Sequence, residues 1–325
     1  MLTYTQVNQA EVRGRISSLR SLETTVEVMG WFSFLMTHFI KPYLPTHFPN
    51  ARLLGLNFDG DPGRYVTGQR RFLDKEGKGY KRHLAQLALD VSAASNGAVL
   101  DRLARLYDTI HIDEAQDLNG YDLDVLKTLI HSPIRLQLVG DIRQAILMTN
   151  PKDPRNAQYK GIKVKAWFDE QAQAGELEIT HQNRTWRSNQ TIADFADSIF
   201  DTAWGFPRTE SMNKATTSHD GVFQVSRADA IAYTQAFSPL CLRHSKAVGK
   251  DADLPFINIG VAKGMDAERV LIWPTKKVLD FIQHGKKLDA TPSCSLYVAV
   301  TRARASVAFV VPTLSDCGLP VWQKN

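Results

Sequence analysis

The stretch His111-Ile-Asp-Glu-Ala-Gln-Asp117 decides how this chain is read. Ahead of it, Leu106-Tyr-Asp-Thr-Ile-His-Ile112 ends in a short apolar, β-branched run, the mark of a buried strand. Behind it, Leu123, Leu126, Leu129 and Ile130 fall on one helical stripe between Tyr121 and Ile130, closed by Pro133. Strand, acidic loop and helix in that order put the carboxylates at the carboxyl end of a strand, where open α/β sheets place their ligands. Three acids in five residues repel one another unless a cation sits among them, and hard Mg²⁺ with phosphate oxygens suits such a loop. On charge alone, a solvated acidic turn fits as well.

The order of residues adds to this. Asp113-Glu-Ala-Gln-Asp117 behind a strand resembles the Walker B segment of superfamily 1 helicases of the UvrD (Rep/PcrA) type. About 24 residues on, Leu138-Val-Gly-Asp-Ile-Arg-Gln144 resembles the next motif of that family. The resemblance implies ATP and Mg²⁺ as cofactors, with Asp113 as the metal ligand, Glu114 polarising the attacking water, Gln144 sensing the γ-phosphate and Asp141 beside the nucleotide. Phosphoryl transfer asks the protein mainly to position water and stabilise charge, and an Asp-Glu pair is the least that this requires.

A chain of 325 residues, 43% hydrophobic, has the material for two packed cores. Its net charge of +5 leans toward a polyanionic partner. Cys241, Cys294 and Cys317 lack metal-ligand spacing, and three cysteines without a signal sequence suggest a reducing cytoplasm. The most apolar window, Val26 to Ile40, is broken by Glu27, Thr37 and His38 and is too short to span a bilayer, so no membrane role is expected.

Leu2-Thr-Tyr-Thr5 reads as the end of a strand and Gln9 to Leu22 as a helix. Thr3-Tyr-Thr5 resembles the family segment that follows the phosphate-binding loop, and the loop itself, Gly-x-x-x-x-Gly-Lys-Ser/Thr, does not occur in the sequence. The first lobe is therefore expected to be N-terminally incomplete. Val26 to Phe34 reads as a strand running into a helix and resembles the next nucleic-acid motif; Tyr4 and Trp31 are candidates for stacking on bases, with burial as the alternative. Residues 41 to about 100 look like an insertion. From Arg64 to Arg82 it carries seven basic residues, Arg70 and Arg71 among them, against two acids, interleaved with Tyr65, Phe72 and Tyr80: a single-stranded nucleic-acid surface or a solvated loop.

Asn150-Pro-Lys-Asp-Pro154 and Lys152 to Lys165 read as a linker, Leu177-Glu-Ile179 as a short strand, and Ser188 as the cap of a helix bearing Ile192, Phe195, Ala196, Ile199 and Phe200. Strands and helices then alternate, as in a parallel sheet. Thr185-Trp-Arg-Ser188 resembles the family's Asn-Tyr-Arg-Ser, Phe256 to Gly264 its Lys-Gly-Leu-Glu region, and Leu296-Tyr-Val-Ala-Val-Thr-Arg-Ala-Arg304 its Tyr-Val-Ala-x-Thr-Arg-Ala. By resemblance Arg187 and Arg302 reach the γ-phosphate, Gly264 and Asp266 lie at the nucleotide and Lys263 at nucleic acid. Arg304 has no assigned role.

These expectations define an α/β protein of two RecA-like parallel-sheet lobes, residues 1–150 and 151–325, with the P-loop NTPase helicase fold. The implied activity is an ATP-dependent, 3′-to-5′ helicase or translocase on single-stranded DNA or a single/double-strand junction. The alternative is an inactive DNA-binding or regulatory subunit completed by a partner, a nuclease or a P-loop-bearing chain. After Gln144 the family's aromatic-x-Trp-Arg is replaced by Ile146-Leu-Met-Thr-Asn150, a variant that resembles compact anti-phage proteins such as the Gabija helicase-like protein.

Overall fold

The computed structural model describes residues 1–4, 6–18 and 25–324. Thr5 of the expected Thr-aromatic-Thr, and Leu19 and Leu22 of the expected first helix, lie outside the described residues. The chain divides into two compact units, Met1–Glu178 and Ile179–Asn325. Each is an α/β body whose main sheet is parallel, which is the fold class expected.

Unit 1 runs β1 (Leu2–Thr3), α1 (Gln6–Ser18), β2 (Met29–Gly30), α2 (Trp31–Phe34), α3 (Lys41–His47), β3 (Gly55–Asn57), α4 (Gln69–Phe72), β4 (Lys78–Tyr80), α5 (Leu84–Ala94), α6 (Ala98–Leu106), β5 (Thr109–Ile112), α7 (Tyr121–Ile130), β6 (Arg135–Leu138) and α8 (Val164–Gln173). Its sheet order is β2-β1-β5-β6. Ile110 and Ile112 alternate into the core from β5, and Leu123, Leu126 and Leu129 form the buried stripe of α7 that the sequence periodicity marks. Ser132 and Pro133 then stop the helix.

Two expectations need correction here. The insertion is narrower than residues 41–100, because α5 buries Leu84, Leu87, Ala88 and Val91 in the same core as β5. The two-stranded parallel β3-β4 and α4 between them form a separate small layer, anchored to that core by Leu53, Phe72 and Leu73. Nor is Lys152 to Lys165 a linker between the units. Val164 and Trp167 enter the unit 1 core, and buried Asp153 accepts the Tyr121 N–H at 3.3 Å, so apolar burial and a capping bond override the local Pro signals. The boundary falls at Glu178, not at residue 150.

Unit 2 runs β7 (Arg184–Thr185), α9 (Gln190–Ser198), β8 (Glu210–Ser211), β9 (Gly221–Ser226), α10 (Ala230–Phe237), β10 (Leu240–Arg243), β11 (Ile257–Asn258), β12 (Ala267–Trp273), α11 (Lys276–His284), α12 (Ala290–Val300), β13 (Ala303–Val311) and β14 (Val321–Trp322). The six-stranded sheet has the order β11-β10-β12-β13-β9-β14. Its centre, β13, is apolar almost throughout and buried on both faces, as parallel strands covered by helices are. Asn189, not Ser188, caps α9: its side chain accepts the Ile192 N–H at 3.1 Å, while the Ser188 hydroxyl donates to Ala303 O at 2.6 Å. Leu177 to Ile179 is extended but joins no sheet; Ile179 is exposed, with no neighbouring strand to pair with among the described residues.

Candidate active site

In unit 1 the chemistry-bearing residues gather at the carboxyl ends of β1, β5 and β6. The Asp113 N–H donates to Leu2 O at 2.8 Å, the Val139 N–H to Ile112 O at 2.8 Å, and the Ala115 N–H to Val139 O at 3.0 Å, so the loops after β5 and β6 are tied together. Asp113 and Glu114 are half-buried, and Glu114 takes a left-handed backbone (φ +56°) that turns the chain sharply out of the strand. The amide of buried Gln116 donates to Glu114 Oε2. A Cβ on Gly140 would overlap the end of the Gln116 side chain at Oε1 and come within 3.2 Å of Ala115 N, so a larger residue there displaces Gln116. Asp141 holds its neighbours, its Oδ1 accepting from Arg143 Nε at 3.2 Å and its Oδ2 from Gln144 Nε2 at 3.1 Å.

Two buried oxygens at this end, Thr3 Oγ1 and Gln116 Oε1, have no hydrogen-bond partner among the described residues. The Asp113 and Glu114 carboxylates are hard oxygen donors of the kind Mg²⁺ takes. Among the described residues no group of three or more His, Cys, Asp or Glu side chains converges as a metal site. A Mg²⁺ here would thus rely on phosphate and water ligands, its usual habit.

Trp31 is core. It is 2% exposed and its Nε1 donates to Asp122 Oδ1 at 2.6 Å, so of the two readings burial holds and it offers no open stacking platform; its place in the first turn of α2 points it inward. Half-buried Phe32, which no sequence motif singles out, stands edge-on to Tyr4 at 6.0 Å, with Lys81 over its ring at 5.4 Å. Burial, then Asp117 and Asp122, push the Tyr4 hydroxyl upward in pKa, so it stays neutral. On the small β3-β4 layer Phe72 is buried, Arg71 is half-buried beside Gln86 at 3.5 Å, and Arg70 is exposed. Tyr65, 87% exposed, lies under the Arg64 guanidinium. Phe58 is also exposed, six residues ahead of the basic stretch and outside its expected bounds.

In unit 2, three segments distant in sequence meet at the amino ends of β12 and β13. Arg187 Nη1 donates to Thr301 O at 3.3 Å. Arg302, 2% exposed, donates to Val298 O at 3.0 Å, Met265 O at 3.1 Å and Thr301 Oγ1 at 3.3 Å. Asp266 pairs with Arg304 at 2.6 Å, and Gly264 takes φ +91° beside half-buried Lys263. Arg302 is therefore turned into its own unit rather than standing out as a finger, its guanidinium spread over the Val298 and Met265 carbonyls. Asp266 is engaged by Arg304, a residue to which the motif resemblance gives no role.

No helix among the described residues is long and apolar enough to cross a membrane. A 105-residue stretch is 30% identical to an ATP-dependent helicase/nuclease component of Oenococcus oeni (strain ATCC BAA-331 / PSU-1), covering 32% of this chain and 8% of that protein. Among solved structures, the PRRSV helicase aligns with 64% of this chain and 36% of its own, at 20% identity and a TM-score of 0.38. The C-terminal domain of a possible DNA helicase from Lactobacillus plantarum WCFS1 aligns with 41% of this chain and 91% of its own, at 15% identity and a TM-score of 0.27. Residues 76–159, which carry both tied loops of unit 1, match the UvrD/REP helicase N-terminal domain.

Proposed function

We propose that the chain is the motor portion of an ATP-driven helicase or translocase of the UvrD type, moving 3′ to 5′ on single-stranded DNA. The observation that carries this reading is the interlock of the Asp113–Glu114 and Asp141–Gln144 loops through Gly140. Asp113 would bind the metal that neutralises phosphate charge. Glu114, steadied by Gln116, orients and polarises water, and Gln144, steadied by Asp141, reads the γ-phosphate. Of the two guanidiniums in unit 2, half-buried Arg187 is more open to a phosphate than Arg302, which is 2% exposed. The Gly-x-x-x-x-Gly-Lys-Ser/Thr phosphate cradle does not occur in these 325 residues, and this reading needs it supplied. DNA lies over Tyr4, Phe32 and Lys81 and extends to Arg70 and Tyr65, which offer ring faces and cations without base preference.

A second reading, a DNA-binding or regulatory component of an anti-phage defence complex, draws on the engagement of Arg302 and Asp266 inside unit 2. Titration of a labelled single-stranded oligonucleotide at increasing salt tests what both share. Neutralised phosphates release counterions, so binding weakens steeply with salt. Arg70→Glu with Arg71→Glu is expected to lower both affinity and slope; unchanged binding removes the β3-β4 layer from the site. DNA-stimulated ATP hydrolysis after the cradle is supplied, abolished by Glu114→Gln, separates the motor from the regulatory component.

A further inference from the structure

Unit 2 holds a cavity of about 390 Å³ at the end of its sheet opposite the arginine-bearing turns. Ile259 just after β11, His244 just after β10 and Trp273 at the end of β12 line it, so three adjacent parallel strands deliver their carboxyl ends to one place. Open α/β sheets bind ligands at such ends. Two helices begin at its rim, α11 with Thr275 to Val278 and α12 with Thr291 to Leu296.

The polar side of the cavity is incomplete. Thr275, the N-cap of α11, makes no side-chain capping bond, and the first-turn amides of a helix have no intrahelical acceptor. Ser295 lines the same cavity at 9% exposure, and among the described residues its hydroxyl has no hydrogen-bond partner. Lys276 is exposed at the mouth, whereas Lys277 is paired with Asp289. The lining also includes apolar Ile272, Trp273 and Leu296. Helix amides, one cation and a lone buried hydroxyl together with apolar side chains ask for a body with a single anionic end.

We propose that this cavity binds a small organic anion, an aromatic or aliphatic body bearing one phosphate or carboxylate. The anionic group sits at the start of α11 beside Lys276 and Ser295, and the body lies against Trp273. None of the residues assigned to nucleotide or DNA lines this cavity.

The test titrates the full chain with phenyl phosphate, benzoate and neutral benzyl alcohol, followed by ligand saturation-transfer NMR. Saturable binding of one of the two anions is expected, which also tells phosphate from carboxylate, with benzyl alcohol at least about tenfold weaker. Lys276→Glu, a surface change that leaves folding intact, and Ser295→Val should each weaken the anion about tenfold or more, with DNA binding unaltered. Absence of saturable binding by either anion, equal binding of the alcohol, or binding that survives Lys276→Glu overturns the proposal.

Discussion

Asp122→Asn is the substitution whose effect the structure defines most closely. Asp122 is 2% exposed at the start of α7, and burial drives its carboxyl from 3.8 up to about 6 against the opposing hydrogen bonds from Thr149 and Trp31. The hydrogen count explains why the proton is kept. Thr149 Oγ1 receives the Asn119 N–H at 3.2 Å and lies 2.8 Å from Asn119 Oδ1 and against Asp122 Oδ2. Its single proton serves Asn119 or Asp122, and when it goes to Asn119, Asp122 must bring its own. The folded value lies above the unfolded one, so this group's stabilisation is full below pH 3.8 and lost as pH rises through about 6. At 1.36 kcal/mol per tenfold in proton affinity, the loss is about 3 kcal/mol above neutrality. An Asn amide keeps the acceptor for Trp31 and supplies a permanent N–H to Thr149. Urea unfolding should therefore find Asp122→Asn close to the parent near pH 4 and more stable by about 3 kcal/mol near pH 8. A stability difference that does not vary with pH between those points would refute the proton assignment.

Four further outcomes follow from the same geometry. Gly140→Ala forces Gln116 off Glu114 in a buried place and should cost about 1–3 kcal/mol in thermal or urea unfolding. Arg302→Lys replaces a fork that reaches Val298 O and Met265 O at once with a point donor that reaches one; a loss of about 1.5–3 kcal/mol in the unfolding of unit 2 is expected by calorimetry. His38 takes the Arg102 N–H on Nδ1 at 3.3 Å and faces the Tyr107 hydroxyl with Nε2 at 3.1 Å, and burial, then Arg102, lower its pKa. Its neutral form is the folded one, so stability should fall as pH drops below 6.5, and His38→Gln should remove that acid slope in urea titrations. The 325-residue chain by itself, whose sequence holds no Gly-x-x-x-x-Gly-Lys-Ser/Thr, should bind ATP about a thousandfold more weakly than a complete site and show no DNA-stimulated hydrolysis in a coupled phosphate assay.

The strand, acidic loop and helix around Asp113 were legible because each has its own local cause: a β-branched run, clustered carboxylates and a stripe of period 3.6 that Pro133 ends. What escaped the sequence depends on a neighbour far along the chain. Trp31 and Phe32 are adjacent aromatics, and which one is exposed is set by Asp122, 91 residues on, which takes the Trp31 N–H and draws that ring inward. The signal of α8 was present as Val164 and Trp167 one helical turn apart, but Pro151 and Pro154 outweighed it locally; only the docking of Asp153 on the Tyr121 amide shows that the prolines bend the chain back onto unit 1 instead of leading it away. Arg302 is the hardest case, since a guanidinium serves phosphate oxygens and backbone carbonyls equally well. Its direction is set by acceptors brought to it by the fold, Val298 O on the last turn of α12 and Met265 O, 37 residues away. The residue type marks where charge and many hydrogen bonds are wanted, and the fold decides that, in unit 2 as it stands, the carbonyls have them.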